Sequence, residues 1–349
     1  MNDISLIDSN FAVETKLEES DLRFFDAKEA PFRVYGVFYE NGCFRRLPEA
    51  VAANVSRGVK ALHAKSSGGR VRFRTDSPYV AIHAKLPRIY RMSHFALTGS
   101  AGFDLYVREE EEKYLKTFVP PYGMEDGYES IFRFSTEGMR EITVNFPLYS
   151  IVEDLYIGLQ EGSSILPPTP YKIEKPVVYY GSSITQGGCA SRPGTSYQSI
   201  LSRRFDCDYI NLGFSGNAKG EEAMGEYISN LDMSVFVYDY DYNAPSVEHL
   251  QNTHERMFLQ IREKHKELPI IILPSPKYYL SATDEKRREV ILNTYRNARA
   301  RGDENVYFIE NRKLMELAGN EGTVDGAHPT DLGFYSMAKA IGDVLETIF

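Results

Sequence analysis

Tryptophan is absent from the 349 residues, cysteine occurs three times, and basic residues are outnumbered, with 40 Lys+Arg against 49 Asp+Glu. Each shortage excludes something. A net charge of −9 argues against nucleic acid or an acidic membrane surface as partner, since both require a basic footprint. No stretch approaches the roughly 18 apolar residues of a membrane span. Cys43, Cys189 and Cys207 are odd in number and lack metal-ligand spacing, which predicts reduced thiols in a cytoplasmic protein. The opening MNDISLIDSNFAVETKLEES has neither a basic start nor an apolar core, so no signal peptide is expected. Without Trp, surfaces for stacking on a ligand fall to 24 Tyr and 20 Phe. The remainder is ordinary for a soluble globular chain, 42% hydrophobic and 26% charged, and long enough for two domains.

The two halves differ in period. From about residue 20 to 160, short alternating segments are separated by Gly, Pro and Ser turns. VYGVFY (34–39) and CFRRLP (43–48) flank Asn41-Gly42, a strong hairpin signal. RVRFRT (70–75), YVAIHAKL (79–86), GFDLYVRE (102–109), EKYLKTFVP (112–120), EITVNFP (141–147) and VEDLYIGL (152–159) are further strands. They predict a β-sandwich or jelly roll over 1–165, with one helix near 48–64. Prolines at 167, 168, 170 and 176 then mark a stiff linker over 166–176. From 177 to 349 apolar strands alternate with helices: VVYY, DYINLGF, SVFVYDY, PIIILPSP and VYFIE. Such alternation implies a five-stranded parallel sheet covered on both faces.

In a parallel sheet the residues just after each strand carry most weight, because ligands bind at the carboxyl ends. Gly181-Ser182-Ser183 comes after the first strand, and the loop holding Gly216 after the second. Asn243 lies after the third, and Asp325-Gly-Ala-His328 before the last helix. These residues fill the roles that acyl transfer from an ester demands. A serine hydroxyl needs a base to take its proton, and the imidazole needs a carboxylate to hold its tautomer. The oxyanion needs preorganised N–H donors. Ser183, His328, Asp325, Gly216 and Asn243 supply one of each.

Taken in order, GSSIT, GFSGN, DYNAP and DGAH resemble the four blocks of the SGNH (GDSL-type) hydrolases. That resemblance implies a flavodoxin-like α/β/α domain with Ser183 as nucleophile, His328 as general base and Asp325 orienting it. It also implies an oxyanion hole made by the Ser183 and Gly216 N–H groups with the Asn243 amide, and no cofactor or metal. Ser182 stands where the family usually has aspartate, which predicts altered packing of the elbow and not loss of activity. DYNAP departs from the usual G-x-N-D. Gly102-Phe103-Asp104-Leu105-Tyr106 is similar to the GxDLY signature found before some SGNH esterase domains. The pairing resembles two-domain carbohydrate esterases of family 2, which implies removal of acetyl groups from xylan- or mannan-derived oligosaccharides.

Other residues read more plainly. Asp239 and Asp241 are expected at the sheet rim, one facing a helix cap and one solvent. His249 and His254, five apart, miss the spacing of helical metal ligands and are expected at a surface or interface. Glu109 to Glu112 form a solvated hairpin tip, and Asp104 is a buried structural aspartate. Tyr90, His94 and Tyr106 are candidates to approach the ester site from the first domain. Rival functions are an esterase, thioesterase or lysophospholipase for longer acyl chains, and a carbohydrate-binding protein with a degenerate hydrolase domain. A third is a purely structural β-domain that covers the rim or builds a homo-oligomer.

Overall fold

Along the strand Ile173–Gly181, alternate residues enter different cores. Val178 and Tyr180 pack with Leu212, Phe236 and Ile270 on one face, Val177 and Tyr179 with Val235, Val237 and Ile271 on the other. Burial on both faces is what turns a strand sequence into a continuous apolar run. The computed structural model, which describes residues 17–349, places this strand in a five-stranded parallel sheet. The spatial order is Cys207–Gly213, Ile173–Gly181, Val235–Asp239, Ile270–Ile272, Val306–Phe308. In chain order that is the flavodoxin-like 2-1-3-4-5, whose ligand crevice opens at the carboxyl ends of the first and third strands. Helices Glu222–Ser229, Val247–Lys264 and Ala282–Ala300 cover one face, and Tyr197–Phe205 and Asp331–Ile348 the other. In Val247–Lys264 the inward residues Leu250, Met257, Phe258 and Ile261 follow the helical period, and Ser246 caps the start by accepting the His249 N–H.

The preceding domain is antiparallel. Leu22–Asp26, Asp154–Gln160, Tyr79–Lys85 and Gly127–Arg133 make one sheet. Ile165–Leu166, Arg70–Thr75, Arg140–Asn145, Phe103–Arg108 and Glu112–Phe118 make the other, with Arg33–Tyr35 also paired to Arg70–Thr75. Val71, Phe73, Leu105 and Ile142 of the second sheet share a core with Val80, Ile82 and Ile157 of the first, which makes the pair a β-sandwich.

Three details differ from expectation. The helix near 48–64 is two helices, Glu49–Val55 and Arg57–Leu62, because Ser56 is extended and its hydroxyl accepts the Val59 N–H to start the second. Segment 34–39 divides: Phe38–Glu40 forms the hairpin with Cys43–Arg45, while Arg33–Tyr35 joins the larger sheet. Pro176 lies inside its strand instead of before it, at a register shift between Ile173 and Val177, where a residue without an N–H is tolerated. Residues 1–16 of the first domain lie outside the described residues.

The outward face of the second sheet meets the α/β domain. Phe103, Leu105 and Val107 point into the sandwich, while Asp104, Tyr106 and Arg108 point away and find partners across the boundary. Arg108 pairs with Asp206 at 2.7 Å, and Arg70 with Asp208. Asp104, fully buried, accepts from Asn145 Nδ2 at 2.8 Å, Arg192 Nη1 at 3.1 Å and the Gly194 N–H at 2.7 Å. Arg192 also binds the Tyr106 hydroxyl. The aspartate and tyrosine of the GxDLY signature are thus an interdomain clamp. Arg192→Ala leaves a buried carboxylate short of its counter-charge and is expected to cost about 3–5 kcal/mol, read as a lower urea midpoint. A loss below about 0.5 kcal/mol would show that water replaces the guanidinium there without penalty.

Candidate active site

The turn that presents Ser183 depends on Gly181. A Cβ there would stand 2.1 Å from Thr185 Oγ1 and 2.2 Å from the Asp239 carbonyl oxygen, so only glycine lets the strand turn directly into the short helix Ser183–Gln186. Ser182 caps that helix, its hydroxyl accepting the Ile184 N–H at 3.1 Å. Serine in place of the usual aspartate therefore closes the turn locally. Below the elbow, Thr185 Oγ1 and Tyr197 OH both donate to Asp239 Oδ2, at 2.8 and 3.0 Å. Burial pushes the Asp239 carboxyl up to about 7, against the opposing effect of those two donors. The amides of Gln198 and Asn211 bind the Thr185 carbonyl at 2.6 and 2.7 Å, so the turn is held from several sides.

Ser183 Oγ lies 2.9 Å from His328 Nε2, and His328 Nδ1 lies 2.7 Å from Asp325 Oδ2. Asp325 Oδ1 accepts the His328 and Ala327 N–H groups at 2.8 and 3.0 Å, which folds the loop around the carboxylate. With Nδ1–H directed at Asp325, Nε2 presents its lone pair to the serine proton. Burial would raise the Asp325 carboxyl, but the hydrogen bonds from His328 and Ala327 prevail and hold it at about 2. Cys189, close by, is no rival nucleophile. Burial and the Asp325 charge push its thiol up to about 12, so it is protonated at neutral pH.

Ser183, Gly216 and Asn243 lie on the segments that follow the first, second and third strands of the parallel sheet. The Ser183 N–H opens the short helix and has no acceptor within it. Gly216 has φ +70 with open space where a Cβ would stand, so its backbone conformation and not crowding calls for glycine. Asn243 Oδ1 accepts the Ala218 N–H at 3.4 Å, and among the described residues its Nδ2 has no protein partner. The Ser215 N–H binds Gln186 Oε1 at 3.0 Å, strapping the second loop to the helix Ser183–Gln186.

The first domain contributes a residue that the sequence did not flag. Tyr149 OH donates to the Ser183 carbonyl at 3.3 Å, and its ring meets Phe95 edge-on at 5.0 Å, both inside the α/β core. No local pattern sets this tyrosine apart. Of the three aromatic candidates, His94 alone reaches His328, with ring centres 5.7 Å apart. Tyr106 belongs to the clamp, and Tyr90 lies under the Lys65 ammonium at 4.6 Å. Asp241 is not solvated: it is buried, paired with Arg287 at 2.6 Å and bonded to the Ser275 N–H. His254 is not at the surface either. It is stacked on Tyr238 at 4.4 Å, bonded to Thr294, and burial lowers its pKa to about 3. His249 binds the Lys219 carbonyl at 2.9 Å.

Comparison with known proteins bears on the family and the fold. Residues 174–346 match the GDSL-like lipase/acylhydrolase family, and residues 22–165 match the GxDLY family, described as the N-terminus of SGNH hydrolase-type esterases. The chain belongs to this group of two-domain esterases, and it is a carboxylic ester hydrolase. A protein described as a GDSL-like lipase from Bacteroides ovatus shares 28% identity and superimposes with a TM-score of 0.84, over 94% of this chain and 98% of that one. The salicylyl-acyltransferase SsfX3 of a tetracycline biosynthetic pathway shares the fold at 19% identity and a TM-score of 0.75, covering 95% and 98%. So does the acetyl xylan esterase Est2A of Butyrivibrio proteoclasticus, at 12% identity and 0.60, covering 93% and 98%. No curated protein matches the sequence.

Proposed function

We propose that the protein removes O-acetyl groups from acetylated carbohydrate through an acetyl-enzyme on Ser183. The observation that carries the chemistry is the unbroken relay from Ser183 Oγ through His328 to Asp325, at 2.9 and 2.7 Å. Ser183 Oγ attacks the acetyl carbonyl as its proton passes to His328 Nε2. The tetrahedral oxyanion is met by the Ser183 and Gly216 N–H groups and by Asn243 Nδ2. Collapse expels the sugar oxygen, which takes the proton from His328. Water then attacks the acetyl carbon as its proton passes to the same nitrogen, and collapse breaks the bond to Ser183 Oγ, which takes that proton back as acetate leaves.

The carbohydrate reading is supported by the surface beside the Asp325 loop. Tyr278 and Tyr279 line a groove with Thr323 and Gly326, and Tyr279 is 65% exposed. In a chain without Trp, such a tyrosine pair is a suitable platform for a sugar face. The acetyl xylan esterase named above has the same architecture.

Acetate release from acetylated xylo- and manno-oligosaccharides tests the proposal, with a p-nitrophenyl acyl series alongside. Acetate from the sugars and a preference for short acyl groups are expected. Turnover of long or aromatic acyl esters alone would keep the chemistry and reject the substrate class. Asn243→Ala is expected to lower kcat by roughly 100- to 1,000-fold at an unchanged melting temperature. A loss below threefold would show that the amide does not meet the oxyanion.

A further inference from the structure

Beside the relay, His94, Cys189 and His328 each offer one ligand atom, and the three atoms lie within 4.8 Å of one another. We propose that this triad binds zinc or another thiophilic divalent ion, and that occupancy switches the esterase off by engaging Nε2 of His328. The switch rests on the reading of His328 as general base; the binding site does not.

Two imidazoles and a thiol are a borderline-soft donor set, suited to zinc and unsuited to magnesium or calcium. Bonds of about 2.0–2.3 Å place tetrahedral ligands roughly 3.3–3.8 Å apart, so the cluster needs to contract by about 1 Å. His94 can supply that movement, because it is exposed and its ring has no hydrogen-bond partner among the described residues. The other two ligands are already placed. Asp325 holds Nδ1 of His328, which is the carboxylate–histidine support common around bound metals. Cys189 has φ +77, a left-handed conformation that a residue with a side chain adopts at a cost. The loops are docked as well: Phe95, next to His94, is buried in the α/β core, and a Cβ on Gly99 would stand 2.0 Å from the Ala190 carbonyl oxygen. The site therefore bridges the two domains.

On coordination the Cys189 S–H loses its proton to solvent as the sulfur–metal bond forms, and each imidazole gives a lone pair. Nothing is oxidised or reduced. Water completes the tetrahedron. Because the lone pair that deprotonates Ser183 is then committed to the ion, the result is inhibition.

Cobalt(II) as a spectroscopic probe and zinc as inhibitor test this on the full chain, first stripped with a chelator. A thiolate-to-cobalt charge-transfer band at one ion per chain is expected, retained in Ser183→Ala and lost in Cys189→Ser. Zinc should inhibit p-nitrophenyl acetate hydrolysis, reversibly by chelator. His94→Ala and Cys189→Ser should keep zinc-free activity within about twofold while needing at least about tenfold more zinc for inhibition. The absence of the cobalt band, or equal zinc sensitivity in wild type and both variants, would overturn the site. A cobalt band in a protein without ester hydrolysis would uphold the site and refute the switch together with the esterase reading.

Discussion

Replacing Ser183 by alanine is expected to lower kcat on p-nitrophenyl acetate by at least about 10⁴-fold, with KM nearly unchanged. Among the described residues the hydroxyl makes a single hydrogen bond, to His328 Nε2, so its removal takes away the proposed nucleophile and little else. The helix keeps its cap on Ser182, and the elbow keeps its anchors through Thr185 and Asp239. Residual rate above water is expected from the proposed oxyanion donors, which the substitution leaves in place. The check is a steady-state comparison on protein of matched melting temperature. Retention of more than about one tenth of wild-type kcat would exclude Ser183 as nucleophile.

Asp325→Asn should cost nearly as much, on the order of 10⁴-fold in kcat. Asparagine retains an Oδ1 that can accept the Ala327 and His328 N–H groups, so the loop keeps its fold. What changes is the group facing Nδ1. An amide NH₂ there favours an unprotonated Nδ1, which puts the proton on Nε2 and leaves the serine without a base. Because its hydrogen bonds keep the Asp325 carboxyl at about 2, the group stays charged from pH 9 down to pH 4. It loses its charge only as the pH falls towards that value, so Asp325 should contribute nothing to any acid limb of kcat/KM seen above pH 4. A variant within tenfold of wild type would mean that His328 works as a pair with Ser183 alone.

Much of this site was legible in the sequence, for a physical reason. Each of GSSIT, GFSGN and DYNAP directly succeeds an apolar strand, and a parallel sheet gathers the carboxyl ends of its strands at one rim. DGAH sits one turn ahead of the helix Asp331–Ile348, whose Thr330 cap fixes where that loop ends. The structure accordingly brings Ser183, His328 and Asp325 into hydrogen-bond contact. What stayed hidden is coverage by distant chain. The alternation in RVRFRT identifies Arg70 and Arg72 as an outward face, yet both are almost wholly buried against Tyr171 and the second domain. Period 2 tells which way a side chain points and not what will cover it. Arg46 shows the same limit, because its guanidinium ends on the carbonyls of Asn211 and Gly213, more than 160 residues away. Tyr149 and the buried His254 and Asp241 were missed for this reason too. Ion pairs and buried histidines depend on packing between elements, which no local pattern encodes.

The two-domain arrangement also explains why the first domain is more than a cover. Leu47, Ala52 and Val59 enter one core of the α/β domain, and Phe95, Leu148 and Tyr149 enter the other. The loops that hold the relay are therefore packed partly by residues of the sandwich, through the Tyr149 bond to the Ser183 carbonyl among others.

The most direct measurement is the mass of the protein trapped by acid quench within its first turnovers of p-nitrophenyl acetate. A single added acetyl group, mapped by peptide fragmentation to Ser183 and absent from Ser183→Ala, is the predicted result. An adduct on another residue, or turnover by Ser183→Ala at the wild-type rate, would contradict it.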